Sequence, residues 1–143
     1  QHNYDKSYNT PELRKKLRKE LRKELRKEIK KIETVCKSHK ISPILIHHTK
    51  KFFTEVYTNL QSKQLYEHLD TLDKRGIIAG CILYANKFCG GIITSTQNID
   101  LYSIFEVKPK NIQMGYRICL DNITDRIYSI SKYIENAKNM DVI

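Results

Sequence analysis

Apolar residues recur every four positions through the first part of the chain: Leu13, Leu17, Leu21, Leu25 and Ile29, then Ile32 and Cys36. Between them runs a short repeat, LRKE, starting at Leu17, Leu21 and Leu25. A step of four advances about 400° around a helix of about 3.6 residues per turn, so the stripe drifts by about 40° per step and is no heptad seam. The spacing predicts a helix to about His39. Thr10 caps its first N–H groups, Pro11 has no N–H to waste there, and Glu12 suits the positive end of the dipole. Glu20 and Lys23, Glu24 and Lys27, and Glu28 and Lys31 are i,i+3 pairs of opposite sign, each adding a few tenths of a kcal/mol. The polar, aperiodic residues 1–9 read as a disordered lead.

Ser42-Pro43 repeats the cap-and-proline start and predicts a second helix through Leu60, with Leu45, Phe52, Phe53, Val56 and Leu60 facing inward. Gln61 to Asp73 is polar apart from Leu65, Leu69 and Leu72, and reads equally as a short helix or a loop. Lys74 to Cys89 is apolar nearly all round, the mark of a helix surrounded by others. Its small residues Ala79, Gly80, Cys81 and Ala85 let neighbours approach, and Gly90-Gly91 stops it. Thr96 then caps a short helix carrying Ile99, Leu101 and Ile104, and a turn follows at Glu106 and Val107. Pro109 opens a helix with Ile112, Tyr116, Cys119 and Ile123 on one face and Lys110, Asn111, Gln113, Met114 and Arg117 on the other. Two helices joined by a tight turn, the second with a polar, basic outer face, are helix-turn-helix organisation. A last amphipathic helix follows from Ile127 through Ile130 and Ile134.

The length of 143 residues suits one core, and 26 Lys and Arg against 16 Asp and Glu give a net charge of +10. That excess favours an anionic partner, nucleic acid first, although much of it sits in the LRKE helix. Ile, Lys, Asn and Tyr, with codons rich in A and T, hint at an AT-rich genome. Cys36, Cys81, Cys89 and Cys119 form no C-x-x-C pair, which fits reduced thiols in an intracellular protein. No apolar run approaches the ~20 residues of a membrane span. A start at Gln1 reads as a fragment or a processed chain.

The segments ISPILIHHTKKFFTEVY, RGIIAGCILYANKFCGG and IDLYSIFEVKPKNIQMGYRICL resemble one cyclin-type repeat of transcription factor IIB, the first of that family's two. The resemblance rests on Phe52, Phe53, Val56 and Tyr57, on the Arg-led small-residue helix ending in Gly, and on the helix pair after it, over roughly residues 30 to 123. It implies an all-α, five-helix cyclin-like bundle around a central helix near residues 75 to 89, with an extended basic helix ahead of it. The expected organisation is a lead at 1–9, the LRKE helix at 10–40, the core at 41–126 with the helix-turn-helix at 96–123, and a C-terminal helix at 127–143. The second repeat and the zinc ribbon of the family are not evident, and the LRKE helix is foreign to it. A divergent member from a large DNA virus accommodates all three departures.

By the same resemblance the chain is a general transcription initiation factor, an adaptor between promoter DNA, TATA-binding protein and RNA polymerase. It would act in the nucleus or at a site of viral transcription. Lys108, Lys110 and Arg117 would lie on phosphates, and the amides of Asn111 and Gln113 reach base edges, with phosphate contact outweighing base readout. The same face also reads as solvated surface, and the LRKE helix as a binding arm or as a salt-bridged solvated helix. The competing class is a cyclin-like regulator that binds a protein kinase, and a third is an oligomerisation module built on the LRKE helix. Cys36, His39, His47 and His48 match no zinc-ligand spacing, so no metal or other cofactor is expected. With no acid pair, nucleophile elbow or phosphate loop, the chain reads as a binding protein and not an enzyme.

Overall fold

A computed structural model describes residues 10–90 and 100–123. The expected lead at 1–9, Thr96, Ile99 and the stretch of Ile127, Ile130 and Ile134 lie outside the described residues. Among those described the fold is all-helical: α1 (Pro11–Ser38), α2 (Pro43–Ser62), a 3-10 turn (Tyr66–His68), α3 (Thr71–Phe88), α4 (Leu101–Phe105) and α5 (Pro109–Asn122).

The drifting stripe of α1 has a direct structural consequence. Leu17 and Leu21 are 40% and 36% exposed, Leu25 and Ile29 are half-buried, and Ile32 and Cys36 are sealed in the core. The step from Ile29 to Ile32 is three residues rather than four, which turns the stripe back by about 60° and holds the last two turns against the bundle. Upstream, each Leu rotates a further ~40° away. Thr10 caps the helix as expected, its Oγ1 accepting from the Leu13 N–H at 3.3 Å. Of the three expected ion pairs on α1, Glu28–Lys31 forms, at 3.3 Å. Glu20–Lys23 and Glu24–Lys27 do not form among the described residues, and Glu24 instead accepts from the Tyr57 hydroxyl at 2.9 Å.

α2 returns antiparallel to α1. Lys50 reaches Glu33 at 2.9 Å and Tyr57 reaches Glu24, so the end of α2 lies level with about residue 20 of α1. The first two turns of α1 therefore overhang α2 by about 12 Å. Leu45, Phe52, Phe53, Val56 and Leu60 are all buried, as their spacing predicts. Ser42 makes no side-chain cap, so the start of α2 rests on Pro43 and backbone bonds. The undecided stretch after α2 resolves into the 3-10 turn, whose Tyr66 is 2% exposed and meets the Tyr57 ring edge-on at 4.8 Å. α3 begins at Thr71, three residues before Lys74, because Asp70 caps it by accepting from the Asp73 N–H at 2.8 Å. Gly90, at φ +76°, takes the left-handed stop position after α3.

The tightest packing joins α3 to α5. A methyl group on Gly80 would lie 2.6 Å from the Gly115 carbonyl carbon and from the Tyr116 nitrogen, closer than any real contact. One on Gly76 would strike the Asn111 carbonyl, and one on Gly115 the Gly76 carbonyl. The two backbones therefore touch directly, with the buried thiols of Cys81 and Cys119 3.4 Å apart beside them. Gly115→Ala should force the pair apart and cost about 3 kcal/mol or more, at the upper end of overpacking, read as a lower midpoint in thermal unfolding.

Glu33 is held by two lysines, Lys37 on its own helix and Lys50 on α2, each at 2.9 Å. Their hydrogen bonds and charge, Lys37 foremost, lower its carboxyl from 4.5 to about 2. A depressed folded value stabilises fully above pH 4.5 and loses that contribution as pH falls toward 2. The pair is solvent-screened, so its effect is small. Glu33→Gln should lower stability slightly and evenly above about pH 4.5 and flatten the acid limb, so that the parent and variant stability–pH curves meet near pH 2.

Candidate nucleic-acid interface

The expected interface starts at the turn between α4 and α5. Asp100 caps α4 by accepting from the N–H groups of Tyr102 and Ser103, and the Ser103 hydroxyl donates to it at 2.8 Å. These bonds hold the Asp100 carboxyl below its ordinary value. The cap of the described helix is thus Asp100, where the sequence suggested Thr96. Glu106 adopts φ 52° and the Val107 N–H bonds back to the Tyr102 carbonyl at 3.0 Å, which ends α4 after five residues. Val107 turns into the core and Pro109 starts α5 immediately.

On α5 the residues at i, i+3 and i+7, Lys110, Gln113 and Arg117, share one exposed face. The side chain of none of the three makes a hydrogen bond or ion pair among the described residues. Lys108 stands exposed at the N-cap, where the positive end of the helix dipole adds to its charge. Asn111 is a correction to the expected set. It is 5% exposed, and both ends of its amide are engaged: Oδ1 accepts from the Lys108 N–H at 3.1 Å and Nδ2 donates to Asp73 Oδ1 at 3.3 Å. Its position three residues past the N-cap brings it under the first turn of α3, where Gly76 leaves room for its backbone. Asn111 fastens α5 to α3, and its amide is turned away from the exposed face.

One cation of this surface was hidden in the sequence. Lys87, on the last turn of the otherwise buried α3, places its ammonium 4.6 Å from the ring centre of Tyr116, the neighbour of Arg117. Tyr116 itself is half-buried, so its ring forms a wall between core and solvent and carries Lys87 on its outer side. No spacing rule links Lys87 to Tyr116, because the contact arises only from the α3–α5 packing. The exposed face of α5 thus carries Lys108, Lys110, Gln113 and Arg117 and ends at the carboxylate of Asp121, with Lys87 beside it on the Tyr116 ring.

The residues weighed for metal chemistry are dispersed. Cys36 is sealed in the core, where burial pushes its thiol up to about 11. His48 lies against Phe88 at 4.7 Å and Phe52 at 6.1 Å, and desolvation lowers its pKa. His39 is the exposed C-cap of α1. Among the described residues no three His, Cys, Asp or Glu converge as a metal would require, and no helix is long and apolar enough to cross a membrane.

Compared with protein-family models, with curated proteins and with solved structures, the chain matches none.

Removing the amide of Asn111 separates the two roles. Asn111→Ala leaves the Asp73 carboxylate and the Lys108 N–H short of a partner and should cost about 1–2 kcal/mol in denaturant unfolding. Affinity of the folded variant for duplex DNA should stay within about twofold of the parent protein, which a filter-binding titration reads.

Proposed function

We propose that this chain is a DNA-contacting assembly factor of transcription initiation, of the transcription factor IIB kind, built on a cyclin-like repeat. The supporting observation is the exposed, unpaired face of Lys110, Gln113 and Arg117 on the second of two helices joined by a tight turn, extended by Lys87. Lys108, Lys110 and Arg117 with the one amide of Gln113 suit phosphates more than base edges, and the carboxylate of Asp121, one turn beyond Arg117, bounds the basic stretch. An α3 whose middle, Gly76 to Ala85, is buried between α2 and α5 supports the cyclin-like reading. In this reading the chain works by binding and holds partners, TATA-binding protein and polymerase, on promoter DNA without catalysing a reaction. It acts inside the cell, in the nucleus or at a site of viral transcription.

The test is a gel-shift on a promoter fragment with the TATA-binding protein of the same source. The parent protein should supershift the complex, and Lys110→Glu with Arg117→Glu should weaken it at least tenfold. The affinity should fall with salt by about 0.9 log unit per log unit for each neutralised phosphate, and each charge reversal should lower that slope by about one contact. A folded protein whose mobility shift ignores both salt and these reversals, and which captures a protein kinase, would show the cyclin-type regulator instead.

A further inference from the structure

The overhang of α1 leaves a second surface, distinct from the basic face of α5. Where α2 ends, its last turn and the side of α1 enclose a groove of about 350 Å³. Leu21, Leu25 and Tyr57 form the apolar floor, and Gln61 lies at the α2 side. Arg18 and Arg22 are its charged lining residues, with no carboxylate among the residues that line it. Beyond the groove, Leu17, 40% exposed, continues the apolar row one turn further along α1.

We propose that this groove docks an acidic amphipathic helix of a partner protein. The row Leu17, Leu21, Leu25 is an i±4 ridge, the surface into which a second helix packs its own ridges. Such a helix would lie along α1 in the line left open where α2 stops, with its apolar side on Leu21 and Tyr57. Carboxylates on its flank would meet the guanidiniums of Arg18 and Arg22, a planar two-pronged match that arginine makes better than lysine. Charge selects this occupant over a second copy of the chain. α1 carries 12 Lys and Arg against 5 Glu, so two such helices side by side repel. It also selects a protein over nucleic acid, because a phosphate backbone gains nothing from exposed leucines set between the arginines.

Fluorescence anisotropy with two labelled synthetic peptides tests this on the full chain. One carries leucines along one helical face and glutamates elsewhere; the other has the same composition with the leucines scattered. The amphipathic peptide should bind, and its Kd should rise about tenfold or more, about 1.4 kcal/mol, in Leu17→Gln/Leu21→Gln. A loss of the same size is expected in Arg18→Glu/Arg22→Glu. Gln keeps the helix propensity of Leu at these exposed sites, so an unchanged melting curve separates loss of docking from loss of fold. Lys110→Glu/Arg117→Glu should leave the peptide affinity unchanged, which keeps this result independent of the DNA reading. Equal binding of the scattered peptide, or displacement of the amphipathic peptide by duplex DNA, would overturn the proposal. So would a dimer in sedimentation equilibrium that the leucine substitutions abolish.

Discussion

Side chains usually keep packed helices 8–10 Å apart, and the two axes can then adjust by small rotamer changes. Between α3 and α5 nothing plays that part, because Gly76, Gly80 and Gly115 bring main chain against main chain. A contact of this kind has one geometry. It fixes the rotation of α5 about its own axis, and that rotation decides which residues face water. Lys110, Gln113 and Arg117 are outside, and Asn111 is inside, because Gly115 sits on Gly76. Asn111 and the Cys81–Cys119 pair fill the remaining space on either side of the glycines. The basic surface is thus a product of a contact that contains no charged side chain of its own.

α1 behaves as two helices in one. Its lower half belongs to the core through Ile32 and Cys36 and is clamped to α2 by the lysine–glutamate–lysine bridge at Glu33 and by Tyr57 on Glu24. Its upper half owes its helicity to local effects, a cap, a proline and good helix formers, which outweigh the repulsion among its surplus positive charges. The net charge of the chain, read from composition alone, suggests one anionic partner. The placement of the charge divides it into a basic surface on α5 and an arginine-flanked apolar groove on α1.

The apolar periodicity of α1, α2, α3 and α5 was legible because each buries a side against neighbours, and the burial of Phe52, Phe53 and Cys119 follows directly from it. The helix ends were less so. α1, α2 and α4 stop with Lys40, Gln64 and Glu106 in the left-handed conformation, at φ 59°, 57° and 52°, where a glycine is the signal one looks for. The following N–H in each case, of Ile41, Leu65 and Val107, bonds back to a carbonyl five residues earlier. Packing of Ile41 and Val107 into the core offsets the strain, and that packing is invisible in a linear pattern. Asn111 was misplaced for a related reason. A helical wheel puts it on the polar side of α5, but the wheel knows nothing of a neighbour that approaches to backbone distance. Lys87 was missed because a lysine at the end of an apolar run looks like a helix terminus, and the ring it covers belongs to another helix.

The four-residue repeat in α1 has a consequence for how this molecule can vary. Everything that sets the register of the helix against α2 lies at or below Glu24. Above that point, one LRKE unit is chemically equivalent to the next. Gain or loss of a unit there would leave the bundle untouched, move the tip of the helix by about 6 Å and swing it by about 40°. The arm is therefore a ruler with identical gradations, and its reach can change in whole steps while the body that carries it stays the same.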